Sequence, residues 1–265
     1  MTTLRANVLA PLICKNPDEK ALMTLALVVA GVDVGANIDL AEPAGVPGRP
    51  DRPALVDHTS LKQRTMATLE GRATLIHALA HIELNAINLA LDIVWRFGGM
   101  PEGFYRQWIG VAREEALHFT LLQEHFKLLG YGYGDFPAHN ALWEMAERTS
   151  DDLLARIALV PRTLEARGLD ASPAIKAKLV GAGDHRAGEI LDVILRDEIG
   201  HVAVGNYWYR WLCNERSIDP VATYAELADR YRAPRLRGPF NLTARRAAGF
   251  TEEELVALQP VDDRP

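Results

Sequence analysis

The sequence contains very little cysteine. Cys14 and Cys213 are its only two cysteines among 265 residues. This number excludes a disulfide-stabilised scaffold, a four-cysteine zinc ribbon and a rubredoxin-type iron site. It also suits a reducing compartment, so we expect a cytoplasmic protein.

The apolar run near the N-terminus is short, and an excess of positive charge is missing as well. The run ALMTLALVVAG at residues 21–31 is about half as long as a membrane-spanning helix. Asp18 and Glu19 precede it, where a signal peptide would be basic. We therefore predict a short buried helix there and no membrane partner. The net charge of −6 and the pI near 5.8 argue against broad binding of nucleic acids or anionic membranes.

Helical periodicity dominates what is present, and no segment alternates apolar and polar residues as a strand would. We predict four long helices, at residues 65–97, 101–129, 150–167 and 184–213. The Gly98-Gly99 pair ends the first helix, and Ser150 and Asp184 are candidate N-caps of the third and fourth. The fold class is therefore all-α.

The connections between these helices predict a bundle. Segment 131–149 is long enough to cross the full length of a bundle, which favours a four-helix bundle of two antiparallel hairpins joined by a long crossover. We predict that residues 1–57 form an extra N-terminal helix and a connector rich in proline and glycine that pack on the bundle. Residues 58–213 would form the bundle itself, and residues 214–265 a C-terminal extension.

Two six-residue stretches are nearly copies of one another, REEALH at 113–118 and RDEIGH at 196–201. Each holds a Glu-x-x-His pair, Glu115 with His118 and Glu198 with His201, and residues three apart project from one face of a helix. Each pair also has a glutamate on the preceding predicted helix. Glu83 and Glu165 fill that place, with Glu144, Glu147 and Glu189 as competitors for the latter.

Four carboxylates and two imidazoles that converge inside a bundle would repel one another without cations, since buried anions do not stay ionised unpaired. Two divalent metal ions would supply the missing charge. Mixed oxygen and nitrogen ligands with open positions suit iron or manganese better than calcium or structural zinc. We expect a pair of irons, with a manganese–iron or a manganese pair as alternatives.

This doubled pattern resembles that of the ferritin-like di-iron carboxylate superfamily. The stretches AHIELNAINLALD, VAREEALHF, VPRTLEARGLD and RDEIGHVAVGNYW further resemble an uncharacterised bacterial ferritin-like family over residues 45–255. Glu165-Ala166-Arg167 is similar to a stretch of the superfamily's tRNA hydroxylase branch. Carried over position by position, the resemblance implies these metal ligands: Glu83, Glu115, His118, Glu165, Glu198 and His201.

The resemblance implies an oxidoreductase that activates O₂ as a hydroxylase or monooxygenase does. Its substrate would be a small molecule or a modified nucleoside, and its electrons would come from an external donor. Three alternatives stay open: a ferroxidase that handles iron, a peroxide reductase of the rubrerythrin kind, and a metal-free helical interaction module. A dimer is compatible with all of them. The arginines of residues 232–246 form either a solvated surface or a site for an anionic substrate or RNA.

Other residues near the motifs allow two interpretations each. Glu114 and Asp197 would orient the ligand histidines by accepting a hydrogen bond, or would be ordinary exposed acids. Pro161 would either kink the third helix or end it. His77 and His81 are spaced like a metal-binding pair, but lie off the Glu83 face, which favours polar packing or a surface position. Residues 168–183 would form a linker and short helix that could act as a lid.

Overall fold

The structure, a computed structural model, describes residues 3–61 and 64–258. These residues form no strand, and an isolated bridge pairs Leu55 with Ala138. The α-helices are α1 Leu4–Asn7, α2 Leu9–Ile13, α3 Pro17–Leu25, α4 Leu69–Arg96, α5 Glu102–Leu128, α6 Ala141–Arg148, α7 Leu153–Leu159, α8 Ala166–Gly181, α9 His185–Glu215, α10 Pro220–Arg230, α11 Leu242–Ala247 and α12 Glu252–Ala257. A π-helical turn, Val160–Glu165, joins α7 to α8. The prediction of an all-α fold is confirmed for the described residues.

The chain divides into two compact units. The first comprises residues 1–143 and 177–190, and the second residues 144–176 and 191–265. The first unit contains α1 to α5, and the second contains the π-helical turn, most of α9 and the C-terminal helices.

The hairpin of α4 and α5 dominates the first unit. The Thr68 side chain accepts a hydrogen bond from Gly71 N (3.1 Å) and begins α4. Gly99, at φ +77°, turns the chain between the helices in a conformation that suits glycine. Helix α4 is long and apolar enough to cross a membrane by length and composition, but 78% of its most apolar window is buried in the protein. That burial is typical of a core helix.

The N-terminal helices cover a side of α4. Arg5 donates to the carbonyls of Val94 (3.2 Å) and Trp95 (2.8 Å) near the end of α4, where backbone acceptors have no partner within the helix. Lys20 Nζ donates to Asn88 Oδ1 (2.6 Å) on the same helix. These contacts explain why α4 is buried on nearly its whole circumference.

The apolar run at residues 21–31 differs from its prediction. Helix α3 begins earlier, at Pro17, and ends at Leu25. Ala21 and Thr24 are buried, whereas Leu22 is 64% exposed and Val28 66% exposed. The run is therefore partly a half-buried helix, with Ala21 and Thr24 facing the protein, and partly an irregular segment.

The helix that contains Glu165 is longer than predicted. It begins after Asp152, whose side chain accepts from Ala155 N (3.1 Å), and not at Ser150. Gly168 does not end it, since α8 continues to Gly181. Residues 168–181 are therefore helical, which contradicts the interpretation as a linker with a lid.

Pro161 neither breaks nor simply kinks this helix. The backbone widens into the π-helical turn, in which the missing proline N–H is accommodated, and Thr163 Oγ1 donates to Ala158 O (2.8 Å). Gly205 on α9 lies directly against it: a Cβ there would lie 3.0 Å from Pro161 Cβ. The close approach of the two elements requires glycine at this position.

The C-terminal helices of the second unit share an apolar core with α8 and α9, formed by Ala166, Leu169, Val202, Ala244, Ala248, Phe250 and Leu255. Fully buried Arg245 pairs with Asp170 on α8 (2.6 Å), while Arg162 of the π-helical turn pairs with Glu254 on α12. The Thr251–Glu254 capping box begins α12.

Candidate metal centre

Two neighbouring helices bring three of the predicted ligands together in the first unit. Glu83 lies on α4, and Glu115 and His118 lie one turn apart on α5. His118 Nδ1 lies 3.2 Å from Glu83 Oε2 and 3.5 Å from Glu115 Oε2. Donor atoms of the three side chains all lie within 4.8 Å of one another. The cluster of buried glutamate and histidine side chains could hold a metal ion.

Burial makes this cluster electrostatically unusual, because none of the three side chains is more than 4% exposed. Burial and the nearby charge of Glu115 raise the pKa of the Glu83 carboxyl well above its usual range. Burial alone would lower the pKa of His118, but hydrogen bonds to Glu115 and Glu83 outweigh it and raise that pKa to about 11. A proton on His118 therefore supplies positive charge beside the two buried carboxyl groups.

The position of this proton bears on whether the three residues fit a metal ion, because a metal would bind the same ring nitrogen. A histidine binds a metal through a deprotonated ring nitrogen, and His118 directs Nδ1 at both carboxylates. A cation held by the same three side chains would replace the proton and would likewise place positive charge beside the two carboxyl groups. The donor set of the cluster thus fits a divalent metal with oxygen and nitrogen ligands.

The second copy of the motif lies in the second unit. Glu198 and His201 are both buried on α9, and His201 Nδ1 lies 3.7 Å from Glu198 Oε1. Glu165 is half-buried at the end of the π-helical turn. Its competitors Glu144 and Glu189 are exposed, as is Glu147. Burial therefore favours Glu165 among the four candidates.

The acids next to the ligand glutamates differ in their surroundings. Glu114 is exposed on α5, which agrees with the interpretation as an ordinary surface acid. Asp197 is half-buried and accepts from Arg196 Nε (2.7 Å). Their proposed role in orienting the ligand histidines stays a prediction.

His77 and His81 are packed in an aromatic and polar environment of the first unit. The His77 ring stacks on Tyr133 (5.2 Å between centroids), and its Nε2 accepts from Gly134 N (3.0 Å). His81 Nδ1 lies 2.7 Å from Tyr133 Oη. Burial lowers the pKa of each histidine to about 4, so both are neutral near pH 7. These contacts confirm the prediction of polar packing.

Arg162 is a buried residue that the sequence motifs did not reveal. Its guanidinium lies over the ring of Tyr209 (4.0 Å to the centroid), and Nε donates to Asn206 Oδ1 (2.5 Å) on α9. It therefore anchors the π-helical turn that ends at Glu165. An arginine three residues before a candidate ligand is a weak sequence signal, because most arginines are exposed.

Comparison with known proteins gives the family of the chain. Residues 13–256, which include all six predicted ligands, match the family model described as a protein of unknown function (DUF455). An uncharacterized protein of Haemophilus influenzae (strain ATCC 51907 / DSM 11121 / KW20 / Rd) is 51% identical over 220 residues, which cover 80% of this chain and 76% of the relative. No solved structure matches. The chain therefore belongs to the DUF455 family.

Proposed function

We propose that the protein is an O₂-activating oxidoreductase of the hydroxylase or monooxygenase type. It would use two metal ions, of which iron fits best. The observation that carries the proposal is the buried cluster of Glu83, Glu115 and His118. A second Glu-x-x-His pair, also buried, supports a second metal ion. We assign Glu165, Glu198 and His201 to the same di-metal site.

The architecture that accompanies this proposal is the ferritin-like four-helix bundle. Its first hairpin would be α4 with α5, and its second would be the helix of α7, the π-helical turn and α8 with α9. The long crossover would be residues 129–152, which include α6. This bundle supplies one glutamate and one Glu-x-x-His pair from each hairpin.

A reduced pair of iron ions would supply electrons to O₂ and so make oxidation of an unactivated substrate accessible. The protein's own residues would hold the metal ions and keep water away from them. Glu83 and Glu115 hold negative charge for the cations, and His118 gives up its proton when it becomes a ligand. Neighbouring positions on the same helix faces are apolar and buried, which excludes water: Ala80, Ile87, Ala112, Phe119 and Leu122.

The partners follow from the same proposal. The chain has too few cysteines for an iron–sulfur cluster of its own, so a separate reductase would supply the electrons. We propose a small molecule or a modified nucleoside as the substrate. The duplicated Glu-x-x-His motif favours oxygenation over iron storage, and peroxide reduction would need an external electron carrier.

Metal content tests the proposal directly. Protein purified after expression in iron-replete medium should carry about two iron or manganese ions per chain, measured by inductively coupled plasma mass spectrometry, as the paired motifs require. Glu115→Gln and His118→Gln should each lose at least half of that metal. Glu124→Gln changes an exposed glutamate of the same helix and should leave it unchanged.

The remaining outcomes separate the alternative functions. Protein without bound metal would contradict the proposal and support a helical interaction module. Iron uptake into large assemblies, without reductant-dependent O₂ consumption, would support a ferroxidase instead. Rapid turnover of peroxide but not of O₂ would support a rubrerythrin-like reductase.

A further inference from the structure

A cleft of about 630 Å³ lies beside the N-terminal half of α4 in the first unit. Its walls include Leu61, Arg64, Leu75, Ala78, Phe136 and Lys178. The volume is within the usual range of small-molecule sites, roughly 300–1,000 Å³. None of the residues that line the cleft is a candidate metal ligand, so the cleft is a separate feature of the protein.

The lining of the cleft is mainly apolar. Phe136 is only 6% exposed, and Leu61, Met66 and Leu75 are partly buried beside it. Ala78 presents a small, exposed side chain to the same space. Such a surface favours a ligand with an apolar body, because covering it removes apolar area from water.

The charged residues that line the cleft are both cations. Arg64 lies over the Phe136 ring (5.7 Å to the centroid) and pairs with Glu70, which neutralises part of its charge. Lys178 is exposed, and within the described part of the chain no carboxylate lies at ion-pair distance from it. Among the described residues, no acidic side chain lines the cleft, although the protein as a whole carries a net charge of −6. The cleft is therefore a local positive site on an acidic protein.

We propose that this cleft binds an amphipathic monocarboxylate, an apolar chain or ring that ends in one carboxylate. The apolar body would cover Phe136 and Leu75, and the carboxylate would lie between Arg64 and Lys178. Arginine and lysine form charge-assisted hydrogen bonds with carboxylates. A cationic amphiphile would be repelled by the same two residues, and a neutral one would gain only the apolar contact.

Dodecanoate, at concentrations below its micelle range, is a suitable probe by isothermal titration calorimetry. It should bind with a stoichiometry of one, and dodecanol at least tenfold more weakly. Dodecyltrimethylammonium should not bind. Dodecyl phosphate tests the head group: tighter binding than dodecanoate would overturn the assignment of a carboxylate.

Variants locate the site. Lys178→Gln and Arg64→Gln should each weaken dodecanoate binding at least fivefold. Lys176→Gln is the matched control, because it removes the same charge from the same helix without lining the cleft. Ala78→Trp fills the cleft from an exposed position and should abolish binding while the thermal melt and the metal content stay unchanged.

Four results would contradict the proposed binding of a monocarboxylate in this cleft. No binding of dodecanoate, equal binding of the alcohol, or full binding by Ala78→Trp would each overturn the proposal. An equal loss in Lys176→Gln would show general attraction to a charged surface and would overturn it as well. Because metal content is measured separately, failure here leaves the proposed di-metal function standing.

Discussion

His118 shows how buried charged neighbours change the chemistry of a residue. In water its imidazole would be largely neutral at pH 7, but two buried carboxylates within 3.5 Å raise its pKa to about 11. The same neighbours that hold the proton could hold a metal ion. Removing one member of such a buried group leaves an uncompensated charge, which typically costs about 3–5 kcal/mol.

His77 illustrates the opposite effect and makes stability depend on pH. Burial lowers its pKa from 6.5 to about 4, so the unfolded chain binds a proton in a range where the folded protein does not. The contribution of His77 to stability is therefore complete above pH 6.5 and is lost as the pH falls towards 4. At about 1.4 kcal/mol per pKa unit, the loss is at most about 3 kcal/mol.

The variant His77→Phe should remove this dependence. At pH 7.5 it should lower the free energy of unfolding by about 1 kcal/mol, because Gly134 N loses its acceptor. At pH 4.5 the difference from the unmodified protein should vanish or reverse. Urea denaturation at both pH values, on metal-free protein, measures the change. Parallel pH profiles of the two proteins would contradict the expected protonation.

At the scale of elements, the π-helical turn interrupts the α-helical backbone between α7 and α8. It places the guanidinium of Arg162 against the aromatic ring of Tyr209, and it ends at Glu165. π-helical turns are frequent at functional sites. Its geometry depends on α9, where Gly205 leaves room for the ring of Pro161.

Substituting Gly205 tests that dependence. Alanine usually stabilises a helix interior relative to glycine by about 0.5–1 kcal/mol. In Gly205→Ala, however, the new Cβ would meet Pro161 Cβ at 3.0 Å, so we expect a net loss of about 1–2 kcal/mol. Gly110→Ala, at an exposed position of α5 with nothing within 4 Å, should instead be stabilising. Urea denaturation of both variants measures the contrast, and equal effects would contradict this explanation.

At the scale of the whole molecule, bound metal would stabilise the fold. A ligand that binds only the native state adds about 2.7 kcal/mol at a concentration one hundred times its dissociation constant. The buried carboxylates of the cluster have a single imidazole to balance them in the first unit. Metal ions would therefore relieve repulsion in addition to forming ligand bonds.

Chelation should lower the melting temperature accordingly. Treatment of the iron-loaded protein with a chelator, followed by dialysis, should lower the thermal midpoint by several degrees at constant protein concentration. Addition of ferrous iron without oxygen should restore it. His118→Gln should show neither change. Metal-loaded protein that melts at the same temperature before and after chelation would argue against a metal shared by the buried ligands.

Much of the fold and of the candidate site could be predicted from residues alone. The helices around 65–97 and 101–129 follow from periodicity and from the Gly98-Gly99 pair, and Asp184 caps α9 by accepting from Ala187 N (3.0 Å). The Glu-x-x-His spacing fixes two side chains on one helix face wherever the helix lies. Residue spacing on a helix depends only on backbone geometry, so it holds wherever the helix lies, whereas the cap at Ser150 and the stop at Gly168 were overridden by the tertiary structure.

The sequence by itself therefore determined the all-α class, the long helices and the positions of the duplicated motifs. Only the tertiary structure decided that Gly168 lies inside a helix, that Pro161 opens a π-helical turn and that Leu22 is exposed while Lys20 is buried. It also decided that Glu83, Glu115 and His118 meet. The physical reason is that burial and side-chain contact depend on residues far apart in the chain. A local pattern specifies which face a side chain occupies, but not what covers that face.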